Sequence, residues 1–257
     1  MNYYVVDAFT DVLFKGNPAG VCILDNELDE SIMQNIATEN NLSETAFVLK
    51  REGYYDLRWF TPKVEVNLCG HATLGSAFVI ANFIDTNVDV MRFETKSGTL
   101  TVNKENDLYV MDFPSRKPRK VEITPQMEQA VGTPINEAHR SVCLLLLLED
   151  ERKVQRLTPD FGLIKQLADR AVIVTAKGNT VDFVSRFFAP NVGIPEDPVT
   201  GSAHTTLIPF WAERLNRDQM IAMQLSERGG MIFCENCGDR VKIAGKAILY
   251  SQGKVIM

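Results

Sequence analysis

The stretch RWFTPKVEV, Arg58–Val66, returns in similar form as RFFAPNVGI, Arg186–Ile194. Four of the nine positions are identical (the arginine, the second aromatic residue, the proline and the first valine), and the offset between the copies is 128 residues. Two pairs of glycines further along keep nearly the same register, at offsets of 131 and 132 residues: Gly70/Gly201 and Gly98/Gly230. Matches that hold one register over this distance indicate an internal duplication with two copies, rather than a many-repeat array.

Each copy predicts the same local order of a strand, a glycine-containing loop and a buried helix. The segments YYDLRWF and TVDFVSRFF are rich in aromatic and β-branched residues, as strands are, and a proline follows shortly after each. The segments after the loops, HATLGSAFVIANFI and SAHTTLIPFWAERL, are apolar for most of their length. Such helices must be enclosed by other elements. Turns then predict hairpins, so each half is expected to be a strongly curved sheet around one apolar helix.

The fold class predicted from these patterns is α+β with two pseudo-symmetric halves. The halves are placed at residues 1–116 and 117–257, because the segment DFPSRKPRKVEITPQ carries three prolines and a basic cluster and is typical of a linker. Two amphipathic outer helices are also expected. One has Ile32, Met33 and Ile36 on one face, and the other follows a Thr-Pro pair in the second half.

Composition and charge narrow the class of partner. The chain has 257 residues and a net charge of −6, without any long run of Lys or Arg. Neither nucleic acid nor an anionic membrane is therefore expected as a partner. The five cysteines are an odd number and lack the spacing of a disulfide framework. The start of the sequence has no export signal and the most apolar run, VCLLLLL, is too short to span a bilayer. These features predict a cytoplasmic location.

The two loops before the apolar helices are the first candidate site. Gly70 and Gly201 stand where each loop meets its helix, and glycine there lets a ligand approach the backbone while the first free N–H groups of the helix favour an anion. If the halves pack about a pseudo-twofold axis, both helix starts would face one cleft that holds a carboxylate. The simpler alternative is that both glycines only cap tight turns. The recurrence of the Gly-x-Ala pattern in both copies favours the ligand site.

Several reactive side chains surround these glycines. In the first loop they are Cys69 and His71, and in the second they are the polar residues Glu196, Asp197, Thr200 and Ser202. A histidine at a helix start can present a ring nitrogen to a ligand, whereas the other two histidines, at 139 and 204, are interpreted as structural. Glu44 lies at the start of a predicted strand. Considered without its neighbours, a glutamate at such a position is more typical of a solvated strand end than of a catalytic acid.

Other motifs carry little weight. The run CENC, Cys234 to Cys237, is one Cys-x-x-Cys without a second pair or a nearby histidine, and its position in the repeat favours a turn over a zinc or redox site. No phosphate-binding or dinucleotide-binding glycine pattern is present. No metal and no cofactor are therefore expected.

The motifs FKGNPAGVCIL, LSETAFVL, RWFTPKVEVNLCGHATLG, RFFAPNVGIPEDPVTGSAH and LSERGG with VKIAGKA, taken in order, resemble the phenazine-biosynthesis (PhzF-like) isomerase family. They span the chain from Phe14 to Ala247. The family is similar in fold to diaminopimelate epimerase, in which each half wraps an apolar helix in a β-barrel-like sheet and the active site lies between the halves. The resemblance implies that the repeat supplies two walls of one cleft.

The resemblance also implies roles for particular residues. The catalytic glutamate of the family falls on Glu44, and its partners fall on His71 and Asp197. The substrate-binding positions implied by the motifs are Asn17, Gly70, Gly201 and Ser202. In the family the glutamate moves a proton between carbons of a cyclic carboxylated substrate without cofactor or metal. Such a carboxylate should be partly desolvated, and the apolar run that follows Glu44 fits this requirement.

Two alternatives stay open. Epimerases of this fold use two thiols, one from each half, but here Cys69 precedes the first glycine and Thr200 precedes the second. An amino-acid-type racemase would have to work with one base, either Cys69 or Glu44, and Cys69 is interpreted as a small buried filler. The other alternative is a binding protein for a small carboxylate that has lost turnover. By resemblance, the partners expected are a small carboxylated metabolite and a second copy of the chain in a homodimer.

Overall fold

The computed structural model describes residues 1–167 and 171–256. The chain forms two compact units: unit 1 comprises Met1–Asp112 with Ala244–Met257, and unit 2 comprises Phe113–Ile243. Within the described residues, no helix is long and apolar enough to span a membrane.

The elements are numbered in chain order. The strands are β1 (Asn2–Ala8), β2 (Asn17–Leu24), β3 (Glu44–Lys50), β4 (Tyr55–Phe60), β5 (Glu65–Val66), β6 (Val90–Thr95), β7 (Gly98–Glu105), β8 (Leu108–Pro114), β9 (Arg119–Val121), β10 (Glu137–Arg140), β11 (Leu144–Leu147), β12 (Val172–Lys177), β13 (Phe183–Phe188), β14 (Gln219–Gln224), β15 (Gly230–Cys237), β16 (Arg240–Gly245) and β17 (Ala247–Lys254). The α-helices are α1 (Glu30–Asn40), α2 (Gly70–Val79), α3 (Pro125–Val131), α4 (Glu151–Arg156), α5 (Phe161–Leu167) and α6 (Gly201–Leu215).

Unit 1 is built on a mixed sheet. Strand β2 pairs antiparallel with β1 and parallel with β3, and β3 pairs antiparallel with β4. Strand β4 pairs parallel with β6, and β6 pairs antiparallel with β7. Helix α1 connects the parallel pair β2 and β3, and α2 lies in the connection between β4 and β6. Parallel neighbours require such crossover connections.

Unit 2 repeats this order of pairings. Strand β11 pairs antiparallel with β10 and parallel with β12, and β12 pairs antiparallel with β13. Strand β13 pairs parallel with β14, and β14 pairs antiparallel with β15. The crossovers again contain outer helices, α4 and α5, and then the apolar helix α6. The two units thus share one order of strand pairings.

The apolar helices lie inside their units, as predicted. Eight of the ten residues of α2 are buried, and so are eleven of the fifteen residues of α6. Helix α2 packs on β1, β2 and β3. A short π-helical segment, Ile80–Ile84, extends it. Helix α6 buries the large side chains of Leu207, Ile208 and Phe210, each of which contributes roughly 1.5–3 kcal/mol, whereas α2 buries mainly small residues.

The outer layers differ between the units. In unit 1, α1 packs Met33 and Ile36 against Phe47 and Phe60 on the sheet. Ile32, predicted on the same face, is 38% exposed, because position 32 has already turned away from the sheet. In unit 2, three helices, α3, α4 and α5, cover the corresponding face with one continuous apolar cluster.

Two segments differ in detail from the sequence interpretation. The predicted linker carries β9, which pairs antiparallel with β10 and so belongs to the structured part of unit 2. The division at residue 116 gives the C-terminal strand to the second half, whereas β17 pairs with β1 along its length, from Asn2 opposite Lys254 to Ala8 opposite Ala247. Pairing between the two ends of a chain cannot be read from local patterns.

Candidate active site

Glu44 is the first residue of β3 and faces the apolar helix α2. Successive side chains of a strand alternate between its faces. Phe47 packs on the outer helix α1, so Glu44, three positions earlier, lies on the opposite face. Its side chain is 12% exposed. The predicted partly desolvated setting of this carboxylate is therefore present in unit 1.

His71 meets this carboxylate from the first turn of α2. Its Nε2 lies 3.2 Å from Oε2 of Glu44, and its side chain is 7% exposed. The helix begins at Gly70, with Cys69 in extended conformation at the N-cap. Gly70 is therefore the first helical residue.

Asn17 completes the group from the neighbouring strand. Strands β2 and β3 are parallel, with Ala19 opposite Glu44, so the start of β2 lies at the same end of the sheet. Asn17 is fully buried, and its Nδ2 lies 3.3 Å from Nδ1 of His71. Gly16 before it has a φ of +68°, and a Cβ there would lie 2.2 Å from the carbonyl oxygen of Ala8. Only glycine therefore fits at the turn that leads into Asn17.

The ionisation of His71 depends on its neighbours. Burial lowers its pKa, but the charge of Glu44 and the hydrogen bonds to Cys69 and Glu44 raise it, and the net pKa of His71 lies above its usual value. The imidazolium form beside the Glu44 carboxylate is therefore favoured at neutral pH.

Cys69 lies in the same cluster. Its Sγ is 3.5 Å from Nδ1 of His71. Burial, followed by the charge of Glu44, raises the pKa of the Cys69 thiol. A raised pKa favours the neutral thiol, which is a poor base and a poor nucleophile.

The second loop, residues 193–200, is organised by hydrogen bonds within unit 2. The hydroxyl of Thr200 donates to Oδ2 of Asp197 at 2.5 Å. Fully buried Gln224, the last residue of β14, accepts from the backbone N–H of Thr200 at 2.9 Å and donates to the carbonyl of Asp197 at 2.7 Å. These bonds fix the backbone at the start of α6.

Helix α6 begins at Gly201, and Ser202 is exposed on its first turn. Neither N-cap residue, Cys69 nor Thr200, caps its helix with its side chain. The first N–H groups of both helices are therefore not used by the side chains that most often cap a helix.

The structure thus brings together in unit 1 the predicted residues Asn17, Glu44, Gly70 and His71. Asp197, Gly201 and Ser202 lie together in unit 2. The sequence interpretation missed Gln224, a polar residue at a buried position of β14, and it treated Cys69 as filler although the thiol contacts His71. The signal for Gln224 was its place as a polar residue on the buried side of an alternating strand.

Each unit encloses one apolar helix in a mixed sheet, and the predicted α+β fold class is confirmed. The family model of the phenazine biosynthesis-like protein matches residues 6–253. A protein of Pseudomonas aeruginosa named as an uncharacterized isomerase is 49% identical over 98% of this chain and 98% of its own. The chain belongs to the phenazine biosynthesis-like family, and its assignment to the isomerases is confirmed at the level of the family.

Solved structures agree with this assignment. A PhzF family protein of Enterococcus faecalis is 49% identical, with a TM-score of 0.98 over 100% of this chain and 99% of that chain. A probable proline racemase of Agrobacterium radiobacter has a TM-score of 0.63 over 100% of this chain and 93% of its own. At 9% identity the racemase shows a shared fold alone.

Proposed function

We propose that this protein is a cofactor-independent isomerase that moves a carbon-bound proton on a small, carboxylated, cyclic substrate. Glu44 is the acid/base in this proposal. The observation that carries it is the partly desolvated carboxylate of Glu44 beside the buried imidazole of His71, at 3.2 Å. Membership of a family whose relatives are named isomerases supports the same reaction class.

Each neighbour has a chemical task in this reaction. Glu44 takes a proton from one carbon and returns it to another. The imidazolium of His71 stabilises the carboxylate while it is charged and fixes its orientation. Asn17 lies 3.3 Å from the far ring nitrogen. Because an imidazolium donates from both nitrogens, Asn17 fixes the ring in this proposal by turning its amide oxygen towards Nδ1–H. The free N–H groups of the first turn of α2, beginning at Gly70, favour the carboxylate of the substrate.

The residues of the second loop keep the roles predicted from the sequence. Asp197 is proposed as a second catalytic group, and Gly201 with Ser202 as donors to the substrate. Asp197→Asn and Ser202→Ala, measured in the exchange assay below, test these roles one at a time.

The thiol racemase is the weaker candidate for two reasons. The raised pKa of Cys69 keeps it a neutral thiol, and the corresponding position before Gly201 is a threonine. Stereoinversion by two thiols therefore lacks its second base.

Hydrogen exchange at carbon tests the proposal directly. A panel of cyclic and acyclic amino, hydroxy and dienoic carboxylates is incubated with the protein in deuterated water, and carbon-bound deuterium is followed by NMR. The wild type is expected to label at least one compound, and Glu44→Gln to lower the rate by about 10²–10⁴-fold. Glu39→Gln, an exposed carboxylate on α1 of the same unit, is the matched control and should retain the rate.

The other outcomes assign the alternatives. Exchange that survives in Glu44→Gln but disappears in Cys69→Ser would assign the reaction to the thiol. A compound that binds but never exchanges would make the chain a carboxylate-binding protein.

A further inference from the structure

Glu44, Cys69 and His71 place three different metal-binding atoms together. One donor atom from each lies within 4.8 Å of the other two, and among the described residues this is the one cluster of His, Cys and acidic side chains with that property. Nε2 of His71 lies 3.2 Å from Oε2 of Glu44 and 4.0 Å from Sγ of Cys69. All three side chains are almost fully buried.

The two separations from Nε2 of His71 are close to those of a zinc centre. Bond lengths to zinc of about 2.3 Å for sulfur and about 2.0–2.1 Å for nitrogen and oxygen put tetrahedral N and O ligands about 3.3 Å apart, and S and N ligands about 3.6 Å apart. The Glu44–His71 distance already fits, and the sulfur has to approach the ring by a few tenths of an ångström. A rotation about χ1 of Cys69 provides a movement of that size.

The donor set also selects the metal. A thiolate, an imidazole and a carboxylate together suit Zn²⁺, whereas Mg²⁺ and Ca²⁺ prefer oxygen ligands alone. Three protein ligands leave a fourth position for water or a small anion. The remaining exposure of Glu44, 12% of its side chain, gives an ion access to the cluster.

We propose that Glu44, Cys69 and His71 form a binding site for Zn²⁺, and that zinc bound there inhibits the enzyme. On binding, the sulfur–hydrogen bond of Cys69 and the Nε2–hydrogen bond of the His71 imidazolium each give a proton to water, and a sulfur–zinc and a nitrogen–zinc bond form, with no oxidation or reduction. The inhibition rests on the proposed function, because zinc then occupies the carboxylate and imidazole that move the proton. The binding itself does not depend on that function.

Cobalt titration of the full chain tests the binding. The protein is treated with EDTA, freed of chelator and titrated with Co²⁺. A thiolate-to-cobalt charge-transfer band in the near ultraviolet, removed by added Zn²⁺, is the expected result. Cys69→Ala should abolish the band, and Glu44→Gln should weaken Zn²⁺ binding by more than about tenfold, the loss typical of even an indirect ligand contact.

Cys237→Ser is the matched control, because Cys237 is an exposed thiol outside the cluster. The band should persist in this variant. A wild type without the band, a band that survives in Cys69→Ala, or a band lost in Cys237→Ser would each overturn the proposal. Thermal unfolding without metal establishes that each variant is folded.

The inhibition has its own measurement. Carbon-bound exchange by the wild type should stop when Zn²⁺ is added and return when EDTA removes it. Zinc that binds at the cluster while exchange continues would refute the inhibition. If no compound exchanges at all, the proposed function fails, and the cobalt titration still decides the metal site.

Discussion

The starts of the two apolar helices, α2 and α6, share backbone-holding hydrogen bonds but carry different reactive side chains. Thr73 donates its hydroxyl to the carbonyl of Cys69 at 2.6 Å, and His204, at the same place in the second copy, bonds to the carbonyl of Thr200 at 2.9 Å. At the cap itself the copies part: Cys69 lies against His71, whereas Thr200 is occupied by hydrogen bonds within its own loop.

A second shared feature ties each sheet to its outer helices. Arg58 makes two hydrogen bonds to the carboxylate of Glu65, at 2.7 and 2.8 Å, and Arg186 makes the same two bonds, at the same distances, to Glu196. The difference between the copies is thus confined to a few positions. Residues that hold the backbone recur, and residues that can carry out chemistry do not.

After Glu44, the largest effect on exchange is expected at His71. His71→Asn removes the partner of the Glu44 carboxylate and should lower carbon-bound exchange on the order of 100-fold. His139→Asn, a buried histidine of unit 2 outside both loops, is the control and should retain the rate. Equal rates for wild type and His71→Asn would break the comparison, because the first loop would then be no more reactive than the second.

Substitution of Arg58 and of Arg186 should lower the free energy of unfolding by different amounts in the two copies. Arg186 is 12% exposed and also donates to the carbonyls at the end of α4, so Arg186→Met leaves a carboxylate and carbonyls unpaired and should cost about 3–5 kcal/mol in the free energy of unfolding. Arg58 is 28% exposed, so Arg58→Met should cost less. Urea unfolding measures the free energy of unfolding of both variants. A greater loss for Arg58→Met than for Arg186→Met would contradict the expectation that the more buried arginine stabilises the protein more.

Acid should lower the free energy of unfolding through His204, near the start of α6. Burial lowers the pKa of His204 to about 4, while its bond to the Thr200 carbonyl acts weakly in the other direction. In the unfolded chain His204 therefore binds a proton near pH 6.5, whereas in the folded chain it stays neutral until about pH 4. The contribution of neutral His204 to the free energy of unfolding is fully present above about pH 6.5. It is lost as the pH falls from about 6.5 to about 4, and the total loss is roughly 3 kcal/mol.

His204→Thr introduces the residue that the first copy has at this position and tests this directly. Threonine can make the same bond to the preceding turn, as Thr73 does, but it carries no titratable group. The variant should therefore lose less unfolding free energy than wild type between about pH 7 and about pH 4. Urea unfolding at both pH values provides the difference, and parallel losses in the two proteins would refute this role of His204.

The smallest effect is expected at Thr73. Thr73→Val keeps the shape and removes one buried hydroxyl bond, for about 1 kcal/mol. The carbonyl of Cys69 still accepts from the backbone N–H of Thr73, so nothing is left unpaired there. A loss above about 3 kcal/mol in urea unfolding would mean that the hydroxyl does more than hold the turn.

Much of the fold could be predicted from sequence, because the duplicated segments carry strong local patterns. The strands β4 and β13 and the helices α2 and α6 follow from aromatic runs, prolines and apolar length. The pairing of β17 with β1 could not be predicted, since it joins residues at opposite ends of the chain.

The candidate site was predictable only in part. Asn17 and the catalytic role of Glu44 came from the family resemblance, whereas His71 was already a candidate from its place at a helix start. The approach of Asn17 to this group depends on the parallel register of β2 and β3, which no local pattern encodes. Gln224 was missed because its hydrogen bonds join a strand to a loop 24 residues earlier. The place of Glu196 as the counterpart of Glu65 was hidden by the three extra residues of the second loop.

Those extra residues point to a use for the paired arginine and glutamate. Residues 191–193, between the proline and the glutamate, are exposed, while the ion pair joins Arg186 to Glu196 across this loop. The segment between the proline and the glutamate, in either copy, is therefore the position at which an inserted peptide or reporter tag is expected to be tolerated.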